Sequence, residues 1–240
     1  MFTTLKNAFK IKEIRKKLLF TLGMLVVIRL GSQLPVPGVD RHYFSNWFAQ
    51  QTGDAFNFFD AFTGGSFINM SILALNITPY ITSSIIMQLL TIAIPKLEEM
   101  QKEGEDGRKK IASITRYVTI GLALIESTAM AVTFGRSGLL ENYNFLNVIT
   151  VIAALTAGSA FLMWLGERIT ENGVGNGISI VLVINIISRI PQDIAQLFEQ
   201  FVFGKAIAVG AVAAIIILAI ILAMVVLVII LNDATRKIPV

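Results

Sequence analysis

The sequence predicts an all-α, polytopic membrane protein of six crossing helices and one short re-entrant helix. Of its 240 residues, 55% are hydrophobic and only 15% charged. The apolar residues gather in runs rather than on single faces of short elements. Six runs approach or exceed the ~18 residues that carry a helix across a hydrocarbon layer about 30 Å thick. The run over residues 63–95 is too long for one crossing and is broken at Gly64-Gly65, Asn76 and Pro79. Broken backbone at membrane depth is tolerated only where it lines a cavity or is covered by protein.

The first span, residues 18–34, follows a basic cytoplasmic N-terminus, residues 1–17. It resembles a signal peptide in length, but PVPG follows it in place of a small-residue cleavage pattern, so it reads as a retained helix. Arg29 lies near its outer end; a charge there either snorkels to the interface or faces a cavity or partner. Pro35 and Pro37 stop the helix. Residues 39–62 lie outside and carry Phe44, Trp47, Phe48, Phe56, Phe58, Phe59 and Phe62, rings of the kind that settle at an interface.

Residues 64–75, at ~1.5 Å each, are too few to cross and form the re-entrant piece. Asn76 is placed to cap the second crossing helix, over 77–94, with Pro79 in its first turn. Ile77, Ile81 and Ile85 share one face of that helix, and Thr82, Ser83 and Gln88 fall on adjoining faces. The loop over 96–111 alternates in sign and reads either as a solvated helical hairpin or as a docking surface for a cytosolic partner. The third span, 111–134, holds Glu126 deep in the membrane. It is either a proton or cation site or a hydrogen-bonded packing residue.

The fourth span, 145–166, leads to a tight turn with glycines at 173, 175 and 177, which lacks the lysine of a phosphate loop. The short fifth span, 177–190, places Ile178, Leu182 and Asn185 on one face, and a polar residue there again points to a lined cavity. An external hinge, 191–205, a sixth span, 206–231, and the start of a cytoplasmic loop, 232–240, complete the chain.

Charge orients these spans. Fifteen basic residues, among them Lys102, Arg108, Lys109, Lys110, Arg236 and Lys237, fall on one side of a six-crossing arrangement and four on the other. The richer side is cytoplasmic, with the N-terminus. The net charge of +4 is accounted for by this topology and by anionic lipids, not by nucleic acid. The chain has no cysteine, and its lone His42 has no second ligand beside it, so no metal site is expected. There is no Ser-His-Asp set, no carboxylate pair and no cofactor motif, so no enzyme is predicted.

The runs IRLGSQLPVPG, GGSF to ALNITPYITSSIIMQLL, EGEDGRKK, TRY and MWLGERITENGVGNGIS together resemble the SecY family of protein-conducting channels. The resemblance covers most of residues 14–190. It implies the first half of an inverted-repeat channel of ten helices, lacking its C-terminal half, with the functional site between the halves. By it, Gly64, Gly65, Ser66, Phe67, Ile68, Asn69, Met70 and Ser71 look like the plug. Ile77, Ile81, Ile178 and Leu182 look like half of an aliphatic pore ring that excludes ions by dewetting. Thr82, Ser83, Ile85 and Gln88 look like a wall of the lateral gate.

The implied role is passage of unfolded secretory polypeptides across, and membrane helices sideways into, the bacterial plasma membrane. Implied partners are SecE-like and SecG-like small subunits, a SecA-type motor ATPase or a ribosome, and signal peptides with their nascent chains. The docking positions are Lys102, Arg108, Lys109, Lys110, Arg236 and Lys237. The competing reading is a secondary transporter with a broken-helix site using Glu126.

Overall fold

The structure, a computed structural model, describes residues 10–50, 60–140, 142–201 and 207–233. The helices in chain order are α1 (Lys12–Gly31), α2 (Arg41–Gln50), α3 (Thr78–Ala93), α4 (Pro95–Lys102), α5 (Glu105–Arg136), α6 (Phe145–Asn172), α7 (Gly177–Phe201) and α8 (Ile207–Asp233). The chain divides into two compact units, Met1–Ser188 and Arg189–Val240. Phe56, Phe58, Phe59, Arg236 and Lys237 lie outside the described residues.

Among the described residues, four segments are long and apolar enough to cross a membrane: Glu105–Arg136, Phe145–Asn172, Gly177–Glu199 and Gly210–Asp233. The pair α3 and α4, bent by 101°, makes a fifth if it is one broken span. The chain is therefore a multi-pass membrane protein. The sixth expected crossing is α1, which begins at Lys12 rather than at residue 18 and so takes Glu13, Arg15, Lys16 and Lys17 into its first turns. Only its later part is apolar.

Several expected boundaries move for local reasons. The first helix ends at Gly31, with the Ser32 hydroxyl donating to the Arg29 carbonyl at 2.8 Å. The chain then turns and bridges to Ser71 at Pro35 before turning again at Pro37–Gly38. The loop after α3 is a helical hairpin, α4 turning at Glu103–Gly104 into α5. Pro191 removes one helical amide, yet α7 continues through it to Phe201, where a hinge was expected.

Within the first unit, α5 packs most extensively on α6 and α3. The buried face of α5 repeats every four residues at Thr115, Thr119, Ala123, Ser127, Ala131 and Gly135. Such small side chains let helix backbones approach closely in a membrane. Hydroxyls pair across the contacts, Ser83 with Thr119 at 2.5 Å and Ser127 with Thr156 at 2.9 Å. Arg116 Nε and Glu167 Oε1, 2.7 Å apart, tie α5 to α6.

The core has two clusters. One gathers Val36, Phe44, Phe48, Phe67, Met70, Phe134 and Leu155, and the other gathers Ile28, Leu73, Ile77, Leu162, Ile169 and Val181. Both include residues of the segment between residue 60 and α3. That segment is thus covered by protein on its apolar side.

Candidate functional site

Residues 64–77 run as consecutive turns rather than as the short helix expected there. Gly64, Gly65, Met70 and Asn76 all have positive φ, which no regular right-handed helix accommodates. Several of the segment's amides are satisfied by nearby residues. Asp60, fully buried, accepts from the Ile68 amide at 2.9 Å and from the Thr63 hydroxyl at 3.3 Å. The Thr63 hydroxyl accepts from the Phe67 amide at 3.2 Å. These contacts answer the requirement that buried backbone donors be paired.

Four sets of contacts hold the segment. Backbone bonds from Val36 N to Met70 O (2.9 Å) and from Ile72 N to Leu34 O (3.0 Å) flank an antiparallel bridge of Pro35 with Ser71. Arg41 donates to Asn69 Oδ1 from Nε and Nη2, at 3.1 and 2.8 Å, and Asn69 Nδ2 donates to the Gly65 carbonyl. Phe67 sits among Phe44, Phe48 and Phe134, with ring centroids 5.3 Å apart for Phe48 and Phe67. Asn76 Nδ2 donates to the Phe62 carbonyl at 2.8 Å, and Asn185 Nδ2 of α7 donates to Asn76 Oδ1 at 2.9 Å.

These contacts revise three expectations. Asn76 does not cap α3: Ile77 holds the N-cap position, because the Asn76 carboxamide is engaged with Phe62 and Asn185. Phe44 and Phe48 are buried against Phe67 rather than placed as an interfacial belt, since α2 turns its apolar side to the segment. Arg29 reaches this site as well. A Cβ built on Gly64 would lie 3.1 Å from Arg29 Nη1 and 2.7 Å from the Asn185 carbonyl oxygen. The guanidinium therefore lies against the broken segment.

The aliphatic positions come together in part. Ile77 is enclosed, with 1% exposure, in a cluster against which Ile81 and Ile178 pack while half-buried. Leu182 is half-buried one helical turn beyond Ile178. Along α3, Thr82, Ile85 and Gln88 are exposed, whereas Ser83 is fully buried against Thr119. Ser83→Ala should lower stability by only about 0.6 kcal/mol, the mean for hydrogen bonds between membrane helices. A double-mutant cycle with Thr119→Val, read by unfolding in detergent, measures it.

Lys102, Arg108, Lys109 and Lys110 are exposed on the α4–α5 hairpin. Lys102 pairs with Glu98 at 2.6 Å and Lys110 with Glu103 at 3.5 Å, and Arg108 lines a groove with Gln88, Thr91 and Thr115. Sequence reasoning missed the Arg41–Asn69 bond, the Asp60 turn and the role of Asn76. Only the density of Asp, Asn and Gly around the segment hinted at them.

The SecY family model matches residues 71–240. The chain is 44% identical over 246 residues to the protein translocase subunit SecY of Bacillus licheniformis, covering all of this chain and 56% of that protein. It is 45% identical over 192 residues to the same subunit of Escherichia coli K12, covering 78% of this chain and 43% of that protein. The chain thus spans about half the length of these relatives. Among solved structures, the fold is similar to a protein-conducting channel, with a TM-score of 0.50 and 21% identity over 80% of this chain and 38% of that one. It is also similar to Sec61 in a canine ribosome-channel complex from the endoplasmic reticulum, with a TM-score of 0.53 and 19% identity over 94% and 49%. The transporter alternative finds no support in these likenesses.

Proposed function

Because the chain belongs to the SecY family, we propose that it supplies the first half of a passive channel for unfolded polypeptides. The observation that carries this reading is the turn segment 64–77, which is non-helical, bonded in part within itself and latched by polar contacts to α2 and α7. Such a segment can leave its seat once its latches to Leu34, Val36, Arg41 and Asn185 part, because the turns over residues 65–76 carry bonds of their own. It serves as the plug.

Ile77, Ile81, Ile178 and Leu182 form this half's share of a dewetting ring, which excludes ions yet makes no specific bond to a passing chain. The exposed Thr82, Ile85 and Gln88 face the seam through which signal peptides enter lipid, with Ser83 anchoring that wall from behind. The protein performs no covalent chemistry itself; its driving partner is a ribosome or a motor ATPase docking on the basic α4–α5 hairpin and on Arg236 and Lys237. SecE-like and SecG-like subunits and a C-terminal half complete the pore. The plasma membrane is its site, with the N-terminus cytoplasmic and anionic lipids against the basic side.

The test is resting ion conductance of the assembled channel in a planar bilayer. Replacing Ile81, Ile178 and Leu182 together with serine should raise it; an unchanged conductance removes the ring. Loss of transport in Glu126→Gln with the ring variant silent would restore the transporter reading.

A further inference from the structure

Asn76 and Asn185 form a buried carboxamide pair between the turn segment and α7. Asn76 has 1% exposure and Asn185 3%. Asn76 joins three parts of the fold: Nδ2 reaches the Phe62 carbonyl before the turn segment, Oδ1 accepts from Asn185 of α7, and its carbonyl accepts from the Ser159 hydroxyl of α6 at 3.3 Å. It does so from a left-handed backbone, φ 54°, which asparagine tolerates better than most residues. Asn76 directly precedes Ile77, and Asn185 lies one turn beyond Leu182, so the bond links the two helices that carry the aliphatic positions.

The bond is also incomplete. Asn185 Oδ1 is buried and has no hydrogen-bond partner among the described residues. A buried carbonyl without a partner is penalised relative to the same group in water. Separating the two carboxamides in a dry core would strand Asn76 Oδ1 and Asn185 Nδ2, whereas separating them into a water-filled lumen would hydrate both. The link is favourable when the site is dry and loses its advantage once water enters.

We propose that Asn76 and Asn185 form the clasp that holds the resting channel shut, and that its hydration is a required step of opening. The inference rests on the channel reading above. The clasp positions the plug and the ring helices and touches no transported chain of necessity. Replacing Asn185 removes one neutral hydrogen bond, which should raise the open fraction about fivefold, and replacing Asn76 removes that bond together with the one to the Phe62 carbonyl.

The experiment measures resting conductance of the assembled channel carrying Asn76→Gly, Asn185→Ala or both, beside a deletion of residues 65–70. Glycine keeps the left-handed backbone and alanine suits a helix, so both variants preserve the fold. Asn185→Ala should raise conductance about fivefold, Asn76→Gly, which also loses the Phe62 bond, by more, and the double change should do no more than Asn76→Gly alone. Single variants like the parent, or effects that multiply in the double variant, would overturn the clasp while the deletion still leaks. If the deletion itself leaves conductance unchanged, the plug reading fails and the clasp with it.

Discussion

Gly158→Val should destabilise the membrane bundle by about 3 kcal/mol or more, or prevent α6 from docking at all. A Cβ at this position would overlap the backbone carbonyl of Ile72, which cannot rotate away as a flexible side chain could. Ile72 is itself held, its amide bonded to the Leu34 carbonyl. To admit valine, either α6 or the turn segment must move, and both are enclosed by the two core clusters. Gly121 supplies the control, since nothing lies within 4 Å of a Cβ built there. Gly121→Ala should gain up to about 1 kcal/mol from helix propensity. Unfolding of the two variants in detergent, side by side, separates close approach from propensity; equal midpoints would remove the contact.

Gly64→Ala should unseat the turn segment. Gly64 and Gly65 both have positive φ, 66° and 86°, and alanine in that region is strained by about 1–2 kcal/mol at either position. They differ in surroundings. A Cβ on Gly65 meets only Asn69 Nδ2, at an ordinary 3.6 Å, whereas on Gly64 it meets the Asn185 carbonyl at 2.7 Å. The difference between the two alanine variants therefore isolates the steric part, worth about 1–3 kcal/mol more at Gly64. Protease or thiol-reagent access to residues 64–77 in the assembled protein reads it. If Gly65→Ala opened the segment as readily, strain alone would be the cause.

The apolar runs and the basic loops were legible because bilayer thickness and charge orientation act on composition alone. The break at residues 63–95 was legible for the same reason: Gly64-Gly65 and Pro79 have no other use inside an apolar run. The turn structure of the break was not, because its conformation is also set by partners far away in sequence, Arg41 and Asn185. Asn76 illustrates the limit. Local rules make it a helix cap, and a tertiary partner 109 residues away claims its carboxamide instead. Phe44 and Phe48 went the same way, since periodicity gives α2 an apolar side but cannot say that Phe67 will cover it.

The hydroxyl pairs between helices have a further property. Ser83 Oγ lies 2.9 Å from the Tyr80 carbonyl, Thr119 Oγ1 2.7 Å from that of Thr115, and Ser127 Oγ 3.0 Å from that of Leu124. Each hydroxyl thus keeps an acceptor on its own helix when its neighbour across the contact departs. Prising α3 from α5 strands no donor in lipid, while parting Asn76 from Asn185 leaves carboxamides bare until a solvent reaches them. The bundle therefore carries two kinds of joint, one that can come apart in oil and one that comes apart only in water.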